Sequence, residues 1–514
     1  MICSVNSGAV VGLEGKIIQV EADVLGNGLP SFILVGLPDV AVKESKSRVE
    51  SALKNSGFSP PYAHGRVTVN LAPADLPKAG PLYDLPIALS FLVASGQLDY
   101  VNSNFLFVGE LSLSGSLRPV RGILSIVCEA KNKGIEKIFI PYENLYEASV
   151  VDGIDIFGVK SLRELILYLR GKETLPTHQF VDKSYDFDEG RIIGESDFRF
   201  IRGQEYAKRA LEIAAAGGHN VLLSGPPGSG KTLLARAVPT ILPELNREES
   251  LEVTKIYSIS GCLPRKIAVL KERPFRSPHH SASAVSLIGG GSNPRPGEIT
   301  LAHRGVLFLD EFPEFPRSVL ENLRQPLEEG FVVVSRAKQT IEFPSRFVLV
   351  AAMNPCPCGN AGDPQRLCSC TNSQRQKYQQ KLSGPLLDRI DLQVEVPRLD
   401  VEKLQSEVSF SEAESSYDIR CRVVNARLVQ KNRFEKEKID LNSQLSTRAV
   451  GEYCSLDAEC KTLLKEAISA LKLSPRGYYR LIKTARTIAD LEQNNEIGVA
   501  HIAEAIQYRF RYES

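Results

Sequence analysis

No stretch of about 18 consecutive apolar residues occurs in the sequence, so no membrane-spanning helix is expected. The first residues, MICSVNSGAV, lack a basic segment followed by an apolar one, and no secretory leader is expected either. Cysteine is sparse. Ten in 514 residues are too few for a disulfide scaffold, and without a leader the expectation is reduced thiols in a cytoplasm. A dominant charge sign is also missing, since 62 Lys+Arg face 61 Asp+Glu and leave +1. That balance argues against a wholly basic nucleic-acid coat but leaves room for a local basic pore. Internal repeats and low-complexity tracts are absent. With 43% hydrophobic and 24% charged residues, the composition is that of an ordinary globular chain, which excludes disorder, collagen-like repeats and coiled-coil rods. The length accommodates about two to four domains.

Residues 1–170 alternate short strands and helices. Ile18, Val20, Ala22 and Val24 share one face of a period-two run, as do Val67, Val69 and Leu71. Residues 137–141 (KIFIP) predict a short buried strand stopped by Pro141. A helical face of Val42, Val49 and Leu53 ends at Gly57. Residues 171–198 are polar and poor in aliphatics, which reads as a linker. Apolar strands return at 221–224, 305–311 and 347–354 between helical patterns, predicting a parallel sheet covered on both faces over 199–397. From 398 to 514 the pattern is helical and charged, with amphipathic stretches near 456–472, 476–492 and 497–510. The expected class is α/β, multidomain, with a helical C-terminal domain.

Gly225, Pro226, Pro227, Gly228, Ser229, Gly230, Lys231 and Thr232 fit G-x-x-x-x-G-K-[ST] between an apolar strand and a helical segment, which is the context a phosphate-binding loop requires. Backbone N–H groups and the helix N-terminus can cradle the phosphates of ATP. Lys231 offers a charge to the β/γ-phosphates and Thr232 a hydroxyl to Mg²⁺. The strand 306–309 then delivers Asp310 and Glu311 to the sheet edge where ligands bind. Asp310 would hold Mg²⁺ and Glu311 would act as general base on the attacking water. Asn354 ends the next strand, either to orient that water or simply to terminate the strand before Pro355. Arg389 and Arg476, read alone, fit surface ion pairs as well as γ-phosphate contacts.

Cys356, Cys358, Cys368 and Cys370 form two Cys-x-Cys arms separated by nine residues, with Gly359, Gly362 and Pro364 suited to a reversal between them. Four thiolates can close a structural Zn²⁺ site. Free thiols in a surface loop and disulfides formed on oxidation remain the alternatives, because C-x₂-C is the commoner spacing.

Four strings, 275–311, 351–359 (AAMNPCPCG), 382–392 (LSGPLLDRIDL) and 473–492, carry a resemblance that spans essentially the whole chain. They resemble AAA+ ATPases of the magnesium-chelatase-like branch, and within it the ComM-type competence proteins. The resemblance implies Asn354 as sensor 1, Arg389 as arginine finger and Arg476 as sensor 2. It further implies a ring hexamer in which Arg389 completes a neighbour's site, and a helical lid over 398–514. The activity implied is an ATP-driven branch-migration helicase acting on recombination intermediates in natural transformation. Its partners would be DNA, single-stranded or branched, and recombination proteins.

Residues 330–343 read as a hairpin with Ser335-Arg336-Ala337-Lys338 at its turn. The segment is similar to the pore hairpin of MCM-type helicases, which makes Arg336 and Lys338 candidate DNA contacts, although a solvated basic turn has the same signature. Six copies would ring a channel with cations that attract phosphate without reading sequence. Residues 286–301 look like the helix-2 insert of the same branch, and His279 and His280 before them receive no role.

The N-terminal strings 77–89 and 108–144 resemble the proteolytic domain of Lon. At the positions of its Ser–Lys dyad stand Leu82 and Leu124, which carry neither nucleophile nor base. The domain is therefore expected to be a protease-dead fold reused for assembly or partner binding. An ATP-dependent protease is disfavoured on the same ground. A magnesium-chelatase-like subunit that remodels a protein partner remains the alternative to a DNA motor.

Overall fold

The computed structural model describes residues 2–26, 29–99, 101–178, 196–264, 267–291, 294–336, 339–363, 365–398, 413–435, 437 and 439–509. Most of the expected linker, 179–195, lies outside these residues, as do Lys338 and the side chain of Arg336.

The N-terminal region is built on an eight-stranded sheet. Its order runs Thr177–His178, Asp155–Val159, Lys137–Pro141, Phe105–Phe107, Ile2–Val11, Glu14–Leu25, Arg66–Ala72 and Ser31–Val35. Ile2–Val11 and Glu14–Leu25 form a long hairpin. The alternation read from Ile18, Val20 and Ala22 becomes the buried face of that hairpin. Val42, Val49 and Leu53 are the buried stripe of the helix Val40–Asn55, which is capped by the Asp39 carboxylate. The helix Asp84–Ala94 is buried along its whole length, as a helix apolar on every side must be. Its one carboxylate, Asp84, is paired with Arg48 at 2.7 Å.

A five-stranded parallel sheet follows, in the order Phe275–Arg276, Val306–Leu309, Val348–Met353, Val221–Ser224 and Leu392–Glu395. Helices cover both faces, so separate apolar cores form above and below it. Parallel pairing places the last residues of the strands together. Ser224 is in register with Met353, and Leu309 with Ala351. Gly225, Asp310 and Asn354 therefore leave the sheet at the same edge.

The C-terminal region contains the helices Ser416–Arg433, Thr447–Tyr453, Ala458–Leu471, Pro475–Leu491 and Val499–Gln507. Pro475–Leu491 begins with a Ser474 cap and proline in its first turn, and it shares an apolar core with the sheet. A buried network of Arg433, Arg486, Asn442 and Asp490 ties these helices together. The N-terminal region docks on the helix Arg247–Ser260. There the buried Glu147 accepts from Leu124 N (3.0 Å) and Asn144 Nδ2 (3.3 Å) and from the Ser258 hydroxyl. No helix among the described residues is long and apolar enough to cross a membrane.

Candidate active site

The phosphate-binding loop lies between the strand Val221–Ser224 and the helix Lys231–Ile241. A Cβ at Gly225 would lie 2.1 Å from the Val396 carbonyl, so only glycine lets the loop pass the neighbouring strand's end. Lys231 is 8% exposed. Its Nζ donates to the carbonyls of Gly225 (2.7 Å) and Pro226 (2.9 Å) and to Asn354 Oδ1 (3.4 Å). Burial lowers the pKa of this ammonium while Asp310 acts in the opposite direction. The Thr232 hydroxyl donates to Asp310 Oδ2 at 3.0 Å, so both groups named for Mg²⁺ already face each other. Lysine, hydroxyl, carboxylate and amide groups are thus gathered at one sheet edge. Beside them a cavity of about 570 Å³ is lined by residues 227–230 together with Ile201, Gln204, Gln365 and Arg398. Its size is that of a small-molecule pocket.

Glu311 has a left-handed backbone (φ 51) and its N–H donates to Asp310 Oδ1 at 2.9 Å. Such a conformation is costly for a non-glycine residue and re-aims the side chain away from the strand direction. The carboxylate meets a residue that received no role above: His280 Nδ1 lies 2.9 Å from Glu311 Oε2. The cause is the edge strand. Arg276 is in register with Leu307, and four residues onward from each stand His280 and Glu311. An edge strand of two residues leaves no periodic signal in a sequence, so this pairing was not legible there.

The two arginines gather elsewhere. Arg389 (2.8 Å) and Arg476 (3.2 Å) both reach Glu328 Oε1. The Arg389 carbonyl accepts from Asn220 Nδ2 (3.2 Å) and Arg480 (2.9 Å). Asn220 immediately precedes the strand whose other end begins the phosphate loop. Arg389 is therefore anchored at the opposite edge of the sheet, a strand length of roughly 13 Å from the loop.

The remaining predicted residues divide. Phe331–Arg336 pairs antiparallel with Gln339–Pro344 from Phe331↔Pro344 to Arg336↔Gln339. The candidate cations of its tip lie outside the described side chains. The sulfurs of Cys356, Cys358, Cys368 and Cys370 lie within 4.8 Å of one another. Leu82 (8% exposed) and Leu124 (0%) are packed into the N-terminal core.

Comparison with known proteins adds the family. Profiles described as magnesium chelatase subunit ChlI match residues 20–144 and 197–404, and its C-terminal profile matches 413–509. The chain is 43% identical to the competence protein ComM of Haemophilus influenzae over 508 residues, covering 98% of this chain and 97% of that protein. It is 26% identical to the magnesium-chelatase 38 kDa subunit of Rhodobacter capsulatus over 342 residues, 61% of this chain and 87% of the subunit. Identity to Lon protease 2 of Bacillus subtilis is 29% over 190 residues, 35% of this chain and 34% of the protease. With near full-length identity to a ComM protein and chelatase profiles along most of its length, the chain belongs to the ComM-type, magnesium-chelatase-like family of AAA+ ATPases.

Proposed function

We propose that this AAA+ ATPase is a DNA motor that works as a homo-hexameric ring and drives branch migration on recombination intermediates during natural transformation. In this reading residues 1–170 form a catalytically dead Lon-like domain, 171–198 a linker, 199–397 the ATPase core and 398–514 the lid. The observation that carries it is the separation of Arg389 and Arg476 from the phosphate loop at the opposite sheet edge. A single chain holds Lys231, Thr232, Asp310, Glu311 and Asn354 in one place but, folded this way with both arginines on Glu328, does not bring those arginines to its own γ-phosphate. A second copy can, and a closed ring satisfies every subunit.

The assigned roles follow from chemistry. The loop 225–232 and Lys231 hold the phosphates of ATP, and Thr232 and Asp310 suit Mg²⁺. Glu311 accepts the proton of the attacking water, and Asn354 orients that water. Arg389 and Arg476 offset charge on a neighbour's transferring phosphoryl group. Hydrolysis would move six basic hairpins that grip DNA through its phosphates. Zn²⁺ is the cofactor proposed for the four cysteines.

The likeness to a chelatase subunit favours a second reading, in which the ring remodels a protein partner. ATPase assays with single-stranded, duplex and four-way DNA side by side separate the two. The motor reading expects several-fold stimulation, greatest on branched DNA. Turnover indifferent to all three DNAs would abandon it for the partner-remodelling reading.

A further inference from the structure

The segment 355–371 contains no helix or strand among its described residues. Its largest aliphatic side chain, Leu367, is 97% exposed, so no apolar core of its own orders it. Two arms nonetheless return to one point. Cys356 Sγ lies 3.4 Å from Cys358 Sγ and 3.6 Å from Cys368 Sγ, and Cys358 lies 3.5 Å from Cys368. A disulfide holds its sulfurs about 2.05 Å apart. A tetrahedral zinc with Zn–S near 2.3 Å holds them about 3.8 Å apart. The observed spacing is of the second kind. The Ala361 N–H donates to Cys356 Sγ at 3.3 Å, a bond that fixes the sulfur's direction.

This cluster touches the nucleotide site at three places. Gly359 has φ +82, and a Cβ there would lie 2.6 Å from Pro227 Cδ, so the turn of the first arm rests directly on the phosphate loop. Gln365, from the stretch joining the arms, lines the cavity beside residues 227–230. Asp363 of the same stretch pairs at 3.3 Å with Arg398, which lines that cavity too. The second arm runs into the helix Asn372–Gln379, whose buried Tyr378 belongs to the same core cluster as Met353, the residue before Asn354. The first arm thus begins two residues after Asn354, the second leads into a helix packed in the core beside it, and the stretch between them lines the cavity next to the phosphate loop.

We propose that the four cysteines bind one structural Zn²⁺ per subunit and that this metal braces the phosphate loop and Asn354, so that its loss weakens nucleotide binding. The brace rests on the ATP-site reading above; the metal does not. All four positions of the tetrahedron are filled by protein thiolates, which leaves no site for water or substrate. Zinc here cross-links a segment that has little else to order it.

The test uses the full chain, purified without chelator or metal-affinity resin, with elemental analysis and a titration of fluorescent ADP. About one zinc per subunit is expected, and Co²⁺ in its place should give the intense visible bands of a tetrahedral thiolate site. Cys368→Ser/Cys370→Ser should lose the metal and bind ADP at least about fivefold more weakly, with far-ultraviolet circular dichroism unchanged. Native protein stripped of zinc by a thiol reagent and chelator should weaken alike, which guards against misfolding of the variant. A metal-free native protein with four freely titrating thiols overturns the site. Zinc-loaded and zinc-stripped protein binding ADP equally overturns the brace. Zinc-loaded native protein that binds no ADP refutes the ATP site and the brace with it, and leaves the metal standing.

Discussion

Glu311 carries the chemistry proposed for this chain, and its surroundings say what to change. Glu311→Gln keeps the shape and hydrogen-bonding capacity but removes the basic carboxylate. ATP binding should persist while hydrolysis falls at least about 100-fold. Full turnover by that protein would falsify the assignment of the base. His280 touches the carboxylate at 2.9 Å, and its ring packs against His279 and Phe315. In the proposed hydrolysis it acts as a positioning residue. His280→Ala should lower kcat about tenfold while leaving KM for ATP within about twofold, because Glu311 loses its orientation and the phosphates keep their cradle. An unchanged kcat would remove His280 from the site. Lys231, Asp310 and Glu311 were legible in sequence because each is tied by spacing to a strand's end. His280 was not, since its role depends on which strand lies at the sheet edge.

The helix Pro475–Leu491 shows how one element serves both fold and site. Arg480 reaches Asp391 at 2.5 Å and the Arg389 carbonyl at 2.9 Å, while the next turn back presents Arg476. Burial by itself would raise the Asp391 carboxyl, but Arg480, His219 and the Asn220 N–H outweigh it and hold it well below the usual range. A depressed carboxylate contributes stability that is present above its unfolded pKa of about 3.9 and is lost as pH falls below it. Acid unfolding of the native chain should therefore begin below about pH 4. Arg480→Ala leaves a buried carboxylate without its main partner, costing about 3–5 kcal/mol and moving the acid midpoint upward. Circular dichroism across a pH series reads both. The hairpin Phe331–Arg336/Gln339–Pro344 offers a complementary test, since its strands are structural and its proposed cations are not. Arg336→Ala/Lys338→Ala should cut DNA affinity by at least about tenfold at physiological salt and flatten its salt dependence, with basal ATPase retained. A double mutant that migrates branches at the native rate would remove the hairpin from the DNA path.

For the whole molecule, the questions are how copies complete one another and how the N-terminal region is held. If Arg389 acts on a neighbour, Arg389→Ala and Lys231→Ala proteins, each inactive alone, should regain ATPase when mixed. The mixed ring would contain interfaces pairing an intact loop with an intact arginine. No recovery at any ratio, with assembly verified, would refute action in trans. Docking of the N-terminal region has its own titratable group. Burial raises the Glu147 carboxyl, with Ser258, the Leu124 N–H and Asn144 working the other way. The sign is opposite to that of Asp391. Stability from a raised carboxyl is fully present below the unfolded value of about 4.3 and is lost as pH rises through the folded one. The first thermal transition should fall as pH rises over that interval, and Glu147→Gln should flatten the dependence. Leu124, expected at the position of the protease lysine, is buried in the same contact and gives its backbone N–H to Glu147.

Local order and local chemistry were determined by the sequence alone. Residues 225–232 read as a loop between a strand and a helix, because glycine spacing, the lysine and the flanking apolar strand each limit the same few residues, and the structure has that strand, loop and helix. The hairpin at 330–343 followed in the same way from two β-rich arms about a short turn, and the return of Cys368 to Cys356 from glycines placed between the pairs. Tertiary structure alone decided what meets what across distance. Glu328 draws Arg389 and Arg476 to the sheet edge opposite the phosphate loop, a two-residue edge strand sets His280 against Glu311, and Gly359 lays the cysteine knot on Pro227. Each of these contacts joins residues whose partners are fixed by strand order and helix packing, and one sequence pattern is compatible with several such orders.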